Sequence, residues 1–141
     1  TKKMSKSGES DMERINMTDD ADQIAKKFKK ATTDPEPLPE TVDGLNDRPE
    51  ARNLVEIYAA LNDSTPEAVI AEYAGAGWGR FKPALADLAV AKLAPIADDM
   101  SRYMGDPAEI DRILGQGAEK ARAVANPILR DTYDIVGMLR S

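Results

Sequence analysis

The residues best suited to chemistry stand near the start of the chain, in the string Lys3-Met4-Ser5-Lys6-Ser7. The 141 residues include neither histidine nor cysteine. Without an imidazole there is no general base poised near neutral pH, and so no Ser–His or Cys–His couple. Without a thiol there is no cysteine nucleophile, no disulfide and no zinc site of the usual nitrogen and sulfur type. Any catalysis has to rest on Lys, Arg, carboxylates, hydroxyls or backbone dipoles. The carboxylates show no pairing at catalytic or metal-ligand spacing, so no acid–base pair and no metal site is assigned. Read by themselves, residues 1–10 also fit a solvated Lys/Ser terminus.

Charge separates the first residues from the rest. Residues 1–30 carry eight Lys/Arg against six Asp/Glu, while the remaining 111 carry eleven against nineteen, within a net charge of −6. The first thirty residues can therefore meet an anion that the remainder would repel. That balance argues against a protein that coats nucleic acid generally, but leaves room for a local basic patch. No apolar run approaches the roughly 20 residues that span a bilayer. Thr1-Lys2-Lys3-Met4 has no apolar stretch behind it, as a signal peptide would. The lack of cysteine fits a cytoplasmic protein.

The elements that must position these residues read as helices. Alanine occurs 21 times and β-branched residues never come three in a row, so no segment reads as a buried strand. Asp19-Asp20 can cap a helix reaching about Ala31, with Ile24, Phe28 and Ala31 on one stripe. Lys26, Lys27, Lys29 and Lys30 are read on its remaining faces, near the end where cations suit the macrodipole. Residues 34–49 read as an exposed acidic linker, since Pro35, Pro37 and Pro39 restrict their predecessors and withhold donors.

Pro49 suits the first turn of a second helix that buries Leu54, Ile57, Tyr58 and Leu61. Ser64-Thr65-Pro66-Glu67 starts a third, carrying Val69, Ile70 and Tyr73, which Gly75 can end in a left-handed cap. Gly75, Gly77 and Gly79 suggest a flexible turn around Trp78, and their spacing fits neither the dinucleotide nor the Walker template. A long pattern follows from about Phe81 to Tyr103, through Leu85, Leu88, Leu93, Ile96 and Met100, with Pro95 expected to kink or break it. Asp106-Pro107 starts the last helix, where Ile110, Leu114, Gly117, Ala121, Val124 and Ile128 alternate steps of four and three and Pro127 should bend the axis. The expected fold is an all-α helical bundle behind an irregular N-terminal segment. Trp78 is expected to plug a helix junction rather than stack on a base. Tyr58, Tyr73 and Tyr103 are expected in the core.

Lys3-Met4-Ser5-Lys6-Ser7 resembles the KMSKS signature of class I aminoacyl-tRNA synthetases. With equal residue usage, a given five-residue string arises by chance in roughly one window in three million. The residues downstream narrow the likeness. Ile15-Asn16-Met17-Thr18-Asp19-Asp20 and the stretch from Ile24 to Asp34 resemble the tryptophanyl and tyrosyl branch. Arg48-Pro49-Glu50-Ala51-Arg52-Asn53-Leu54, Ile57-Tyr58, Phe81-Lys82-Pro83-Ala84-Leu85-Ala86 and Gly117-Ala118-Glu119-Lys120-Ala121-Arg122 look like the tryptophanyl enzymes in particular.

The resemblance implies that residues 1–18 are the KMSKS loop at the tail end of a nucleotide-binding catalytic domain. Residues 19–141 would be the α-helical anticodon-binding domain, with the acidic segment 34–49 as a linker. It implies ATP with Mg2+, tryptophan and tRNA(Trp) as substrates, a homodimer, and a cytoplasmic ligase. Lys6 is the lysine implied to stabilise the departing pyrophosphate, with Lys3 in a secondary place. Ser5, Ser7 and Gly8 offer hydroxyls and a backbone able to approach phosphate closely. Lys26, Lys27, Lys30 and Arg52 are candidates for the tRNA backbone, and Lys29, Arg48, Arg80, Lys82, Lys120 and Arg122 are as ambiguous. The signature upstream of KMSKS in this class contains two histidines. A chain with none is thus expected to hold only the later part of an active site, and to be inactive alone. The alternatives are a stand-alone helical interaction or RNA-binding module, or the equivalent part of a tyrosyl enzyme.

Overall fold

A computed structural model describes residues 10–137. Its long elements are five helices: α1 Ala21–Lys30, α2 Pro49–Leu61, α3 Pro66–Tyr73, α4 Trp78–Gly105 and α5 Pro107–Val136. Short 3-10 turns at Asp11–Glu13 and Val42–Leu45 precede α1 and α2, and no strand occurs among the described residues. The fold is all-α, as the alanine-rich, strand-poor sequence implies.

The helix starts follow from local chemistry. Asp20 accepts from Gln23 N–H at 2.8 Å while the Gln23 side chain accepts from Asp20 N–H at 2.9 Å, a reciprocal capping box at the head of α1. Thr65 Oγ1 accepts from Ala68 N–H ahead of Pro66, and an Asp106 carboxylate oxygen accepts from Glu109 N–H ahead of Pro107. Gly75, just past α3, takes φ +69°, the left-handed region expected of it.

The chain divides into two compact units, at Met100/Ser101. The first has a single core, built where α1, α2, α3 and the first half of α4 converge. Phe81 sits at its centre with no exposed surface. Its ring centroid lies 5.6 Å from that of Tyr58, 5.2 Å from that of Tyr73 and 6.0 Å from that of Trp78. The two tyrosine hydroxyls share a buried hydrogen bond of 3.1 Å. Burial, reinforced by that bond, pushes the Tyr73 hydroxyl well above the usual phenol range and keeps it neutral.

Residues 34–49 differ from the exposed linker expected of them. Leu38 and Leu45 are each 1% exposed and belong to the core. Leu38 donates its N–H to Ala76 O at 2.9 Å and accepts from Gly75 N–H at 3.0 Å. Gly44 closes against Pro39 so tightly that an added Cβ would stand 2.5 Å from the proline Cβ. The prolines do forbid a helix here, but two leucines and borrowed donors fold the segment onto the helices.

The α4 pattern extends further than its apolar residues suggest. Trp78 and Gly79 form its first turn rather than a loop, and the helix continues past Pro95. The missing donor at Pro95 is one interruption in a helix of 28 residues, and it does not end it.

The second unit consists of the end of α4 and α5. α5 continues through Pro127 to a left-handed Gly137, and none of its residues is buried. Its stripe residues Ile110, Leu114, Val124 and Ile128 are exposed. Tyr103, expected in the core, is half-buried instead, with the Arg102 guanidinium 4.1 Å above its ring.

Candidate functional site

The motif Lys3-Met4-Ser5-Lys6-Ser7 lies outside the described residues. Its attachment to the helical domain does not. From Ser10, whose hydroxyl accepts from Met12 N–H, the chain turns through Asp11–Glu13 and reaches Asp19 just before α1. This short stretch is the root from which the motif extends.

A charge cluster ties the root to α1. The Lys27 ammonium meets an Asp19 oxygen at 2.6 Å and an Asp11 oxygen at 2.8 Å. Asn16 completes the arrangement: its side-chain amide donates to Asp11 Oδ1 at 2.7 Å and its backbone N–H donates to Asp19 Oδ2 at 2.8 Å. Asp19 in turn donates its N–H to Asn16 O at 3.1 Å. Lys27 and Asp19 are both buried, whereas the Asp11 side chain is 60% exposed.

The protonation states follow from this geometry. Burial works against charge on Asp19, yet the Lys27 ammonium and the Asn16 N–H outweigh it and hold the carboxyl below the usual range. The hydrogen bond from Lys27 does the same for Asp11. Burial likewise opposes charge on Lys27, and the two aspartates overcome it, raising the ammonium above its ordinary value. All three groups are ionised at neutral pH.

Lys27 therefore departs from its expected place on the tRNA surface. It is 5% exposed, and its charge is satisfied inside the protein. The sequence held a signal for this. Lys27 falls three residues after Ile24 and four before Ala31, so Ile24, Lys27, Phe28 and Ala31 follow the i, i+3, i+4, i+7 pattern of one buried face. Lys26, Lys29 and Lys30 are exposed on the other side of α1, with Lys26 and Lys30 one turn apart. Arg52 is exposed on α2 and pairs with Glu56 one turn on, at 3.2 Å.

Two other ambiguous cations have structural occupations. Arg48 grips Asp34 with two nitrogens and also donates to the carbonyls of Pro37 and Glu36, at 2.8 and 2.9 Å. Lys82 donates to Ala31 O at 2.7 Å and lies 5.8 Å from the centre of the Trp78 ring. Trp78 plugs a junction as expected, its indole N–H donating to Asp34 O at 2.7 Å. Arg80 is exposed, its guanidinium 5.5 Å from the centre of the Tyr73 ring. Lys120 and Arg122 are exposed on α5. The structure thus leaves Lys26, Lys29 and Lys30 as a compact exposed basic face, on the helix that the motif root leads into.

An open groove of about 450 Å3 runs beside the root, lined by Met12, Arg14, Ile15, Phe28, Ile57 and Leu93 among others. Its apolar floor comes from α1, α2 and α4. Among the described residues no group of three or more acidic side chains could hold a metal ion. No described helix is long and apolar enough to cross a membrane.

Comparison with known proteins agrees with the motif. The chain is 57% identical over 140 residues to the tryptophan–tRNA ligase of Rhizobium meliloti, covering 99% of this chain and 40% of that protein. It is 58% identical over 135 residues to the tryptophan–tRNA ligase of Caulobacter vibrioides, covering 96% and 39%. The Synechocystis tryptophan–tRNA ligase is 43% identical over 143 residues, covering 99% and 41%. The chain thus spans about 40% of the length of the curated relatives it matches. Residues 1–94 match the family model described as tRNA synthetases class I (W and Y), which takes in both the motif and the helices that carry its root, and the chain belongs to that family.

Proposed function

We propose that this chain is the C-terminal part of a tryptophan–tRNA ligase, contributing the KMSKS lysine and the helices that hold the anticodon end of tRNA(Trp). The observation that carries the reading is the match along 99% of the chain to a ligase of that specificity, with the motif intact at Lys3–Ser7. The relatives above favour tryptophan over tyrosine, which the family description alone leaves open. A stand-alone helical module would have no need of the motif.

In this reading the tryptophan carboxylate attacks the α-phosphate of ATP, the bond to pyrophosphate breaks, and negative charge gathers on the departing group. The Lys6 ammonium, brought to the β- and γ-phosphates, stabilises that charge more in the transition state than in the ground state. Magnesium arrives as the counter-ion of ATP. The adenylate then passes its aminoacyl group to tRNA(Trp), whose phosphates meet Lys26, Lys30 and Arg52. The whole protein works as a homodimer in the cytoplasm.

The test is twofold. The reading frame upstream of Thr1 should encode a nucleotide-binding half with a histidine-bearing class I signature. The full-length protein should catalyse tryptophan-dependent pyrophosphate exchange while the 141-residue chain does not. A frame without that half, or exchange by the short chain, would contradict the proposal.

A further inference from the structure

Thr32 and Thr33 stand between the basic end of α1 and the acidic segment, and both ends of this step are held from outside. Ahead of it, Ala31 O accepts from the Lys82 ammonium at 2.7 Å. Behind it, Asp34 O accepts from the Trp78 indole at 2.7 Å, and Arg48 grips the Asp34 carboxylate. Lys82 and Trp78 are one turn apart on α4, which is fixed in the core by Phe81 and Leu85. The backbone on either side of the two threonines is therefore fastened to one rigid helix.

Between those fastenings the chain offers donors. Ala31, at φ −52° and ψ 137°, turns the backbone out of α1. The N–H and hydroxyl of Thr32, and those of Thr33, have no hydrogen-bond partner among the described residues. Thr32 is exposed and Thr33 half-buried. Such groups are left to water or to a ligand.

The surrounding charge favours an anion. Lys29 and Lys30 directly precede this step, are exposed, and pair with no carboxylate among the described residues. A helix C-terminus alone repels an anion, but here the Lys82 ammonium stands on the cap carbonyl. Asp34, the next carboxylate along the chain, is offset by Arg48 at 2.6 Å. Threonine hydroxyls and backbone N–H groups beside lysines are the donors by which proteins hold nucleic-acid phosphates.

We propose that Thr32 and Thr33, fixed in place by Lys82, Trp78 and Arg48, form a phosphate-binding step for the tRNA backbone, flanked by Lys29 and Lys30. The assignment deepens the ligase reading above and rests on it. It adds neutral, directional contacts to the lysine charges of α1. Because folding has already ordered the step, binding costs it little conformational entropy.

The experiment is filter binding of tRNA(Trp) to the full-length ligase at several salt concentrations. Thr32→Val and Thr33→Val keep the side-chain shape and remove the hydroxyl. Each should weaken binding about fivefold, the worth of one hydrogen bond, and leave the salt slope unchanged because a hydroxyl releases no counterion. Lys29→Ala should instead reduce the slope by about 1. Thr32→Ser and Thr33→Ser should restore the affinity. Wild-type affinity in both valine variants, or an equal loss in the serine variants, would overturn the proposal. Urea midpoints of the valine variants should match wild type, since the hydroxyls have no partner inside the protein; a fall that accounts for the lost binding would also overturn it.

A second measurement does not depend on the ligase reading. In the 141-residue chain, the amide resonances of Thr32 and Thr33 should shift when an RNA stem-loop is added, whatever its sequence, because phosphate contacts carry no base information. Unmoved Thr32 and Thr33 amides in excess RNA would overturn the proposal. If wild-type full-length protein shows no tryptophan-dependent exchange, the ligase reading itself fails, while this titration still decides whether the step takes phosphate.

Discussion

The guanidinium of Arg48 closes on both carboxylate oxygens of Asp34, Nε at 3.0 Å and Nη2 at 2.6 Å, across fourteen residues of chain. The same side chain donates to the carbonyls of Glu36 and Pro37, in a stretch where prolines have removed backbone donors. A lysine could supply the charge but not the planar fork. Arg48→Lys should therefore destabilise the first unit by about 1–2 kcal/mol. Trp78 is the sole tryptophan and touches this segment, so its fluorescence during urea unfolding reads the change directly. An unshifted urea midpoint would show that the fork does not hold the acidic segment.

Trp78 contributes both a ring and a hydrogen bond. Trp78→Phe keeps most of the ring and leaves Asp34 O without its 2.7 Å donor, which should cost about 1–2 kcal/mol. Trp78→Ala removes the packing as well and should cost about 3–5 kcal/mol. Circular dichroism during unfolding checks the order. Equal losses for the two variants would mean the indole N–H contributes nothing.

Stability should fall in acid through the two paired aspartates. The hydrogen bond from Arg48 holds Asp34 below the usual carboxyl value of 3.8, and the Lys27 pair does so for Asp19 against the opposing effect of burial. Because their folded values are depressed, their contribution is complete above the unfolded value and is lost as pH falls through the folded one. Lys27 behaves oppositely: raised above 10.5, it contributes fully below that value and loses its share as pH rises through the folded one. The stability difference between wild type and Asp34→Asn should thus hold near neutral pH and shrink as pH falls below the unfolded carboxyl value of 3.8. Urea midpoints across that range give the curve; a constant difference would contradict the assignment.

On α1 the four lysines should divide by burial. Lys26→Ala and Lys30→Ala, at exposed positions, should each weaken tRNA binding by the full-length ligase and reduce the salt slope by about 1. Neither should change pyrophosphate exchange in the absence of tRNA. Filter binding at several salt concentrations checks the slope, and an unaltered slope in both variants would remove α1 from the tRNA surface.

Much of this architecture is readable from residue types alone. Asp20, Thr65 and Pro66, Asp106 and Pro107, and Gly75 mark helix ends through bonds that span no more than four residues, and they stand where such chemistry puts them. What escaped is non-local. The burial of Leu38 depends on partners at 75 and 76, and the docking of Asp34 depends on Trp78, 44 residues away. Proline count describes what the segment cannot form, and says nothing of what will cover it. Lys27 escaped for a different reason: four lysines within five residues read as one solvated cluster, although the stripe of Ile24, Phe28 and Ala31 passes through position 27. The KMSKS string pointed to the family from five residues, because its signal lies in identity rather than in packing.

Lys6 carries the proposed activation step. Steady-state pyrophosphate exchange by the full-length ligase, wild type against Lys6→Ala, measures its part in activation directly. Loss of one charge-stabilising contact should lower the rate on the order of a thousandfold, about 3–4 kcal/mol in the barrier, with tryptophan affinity nearly unchanged. A Lys6→Ala enzyme that forms adenylate at the wild-type rate would contradict a role for Lys6 in activation.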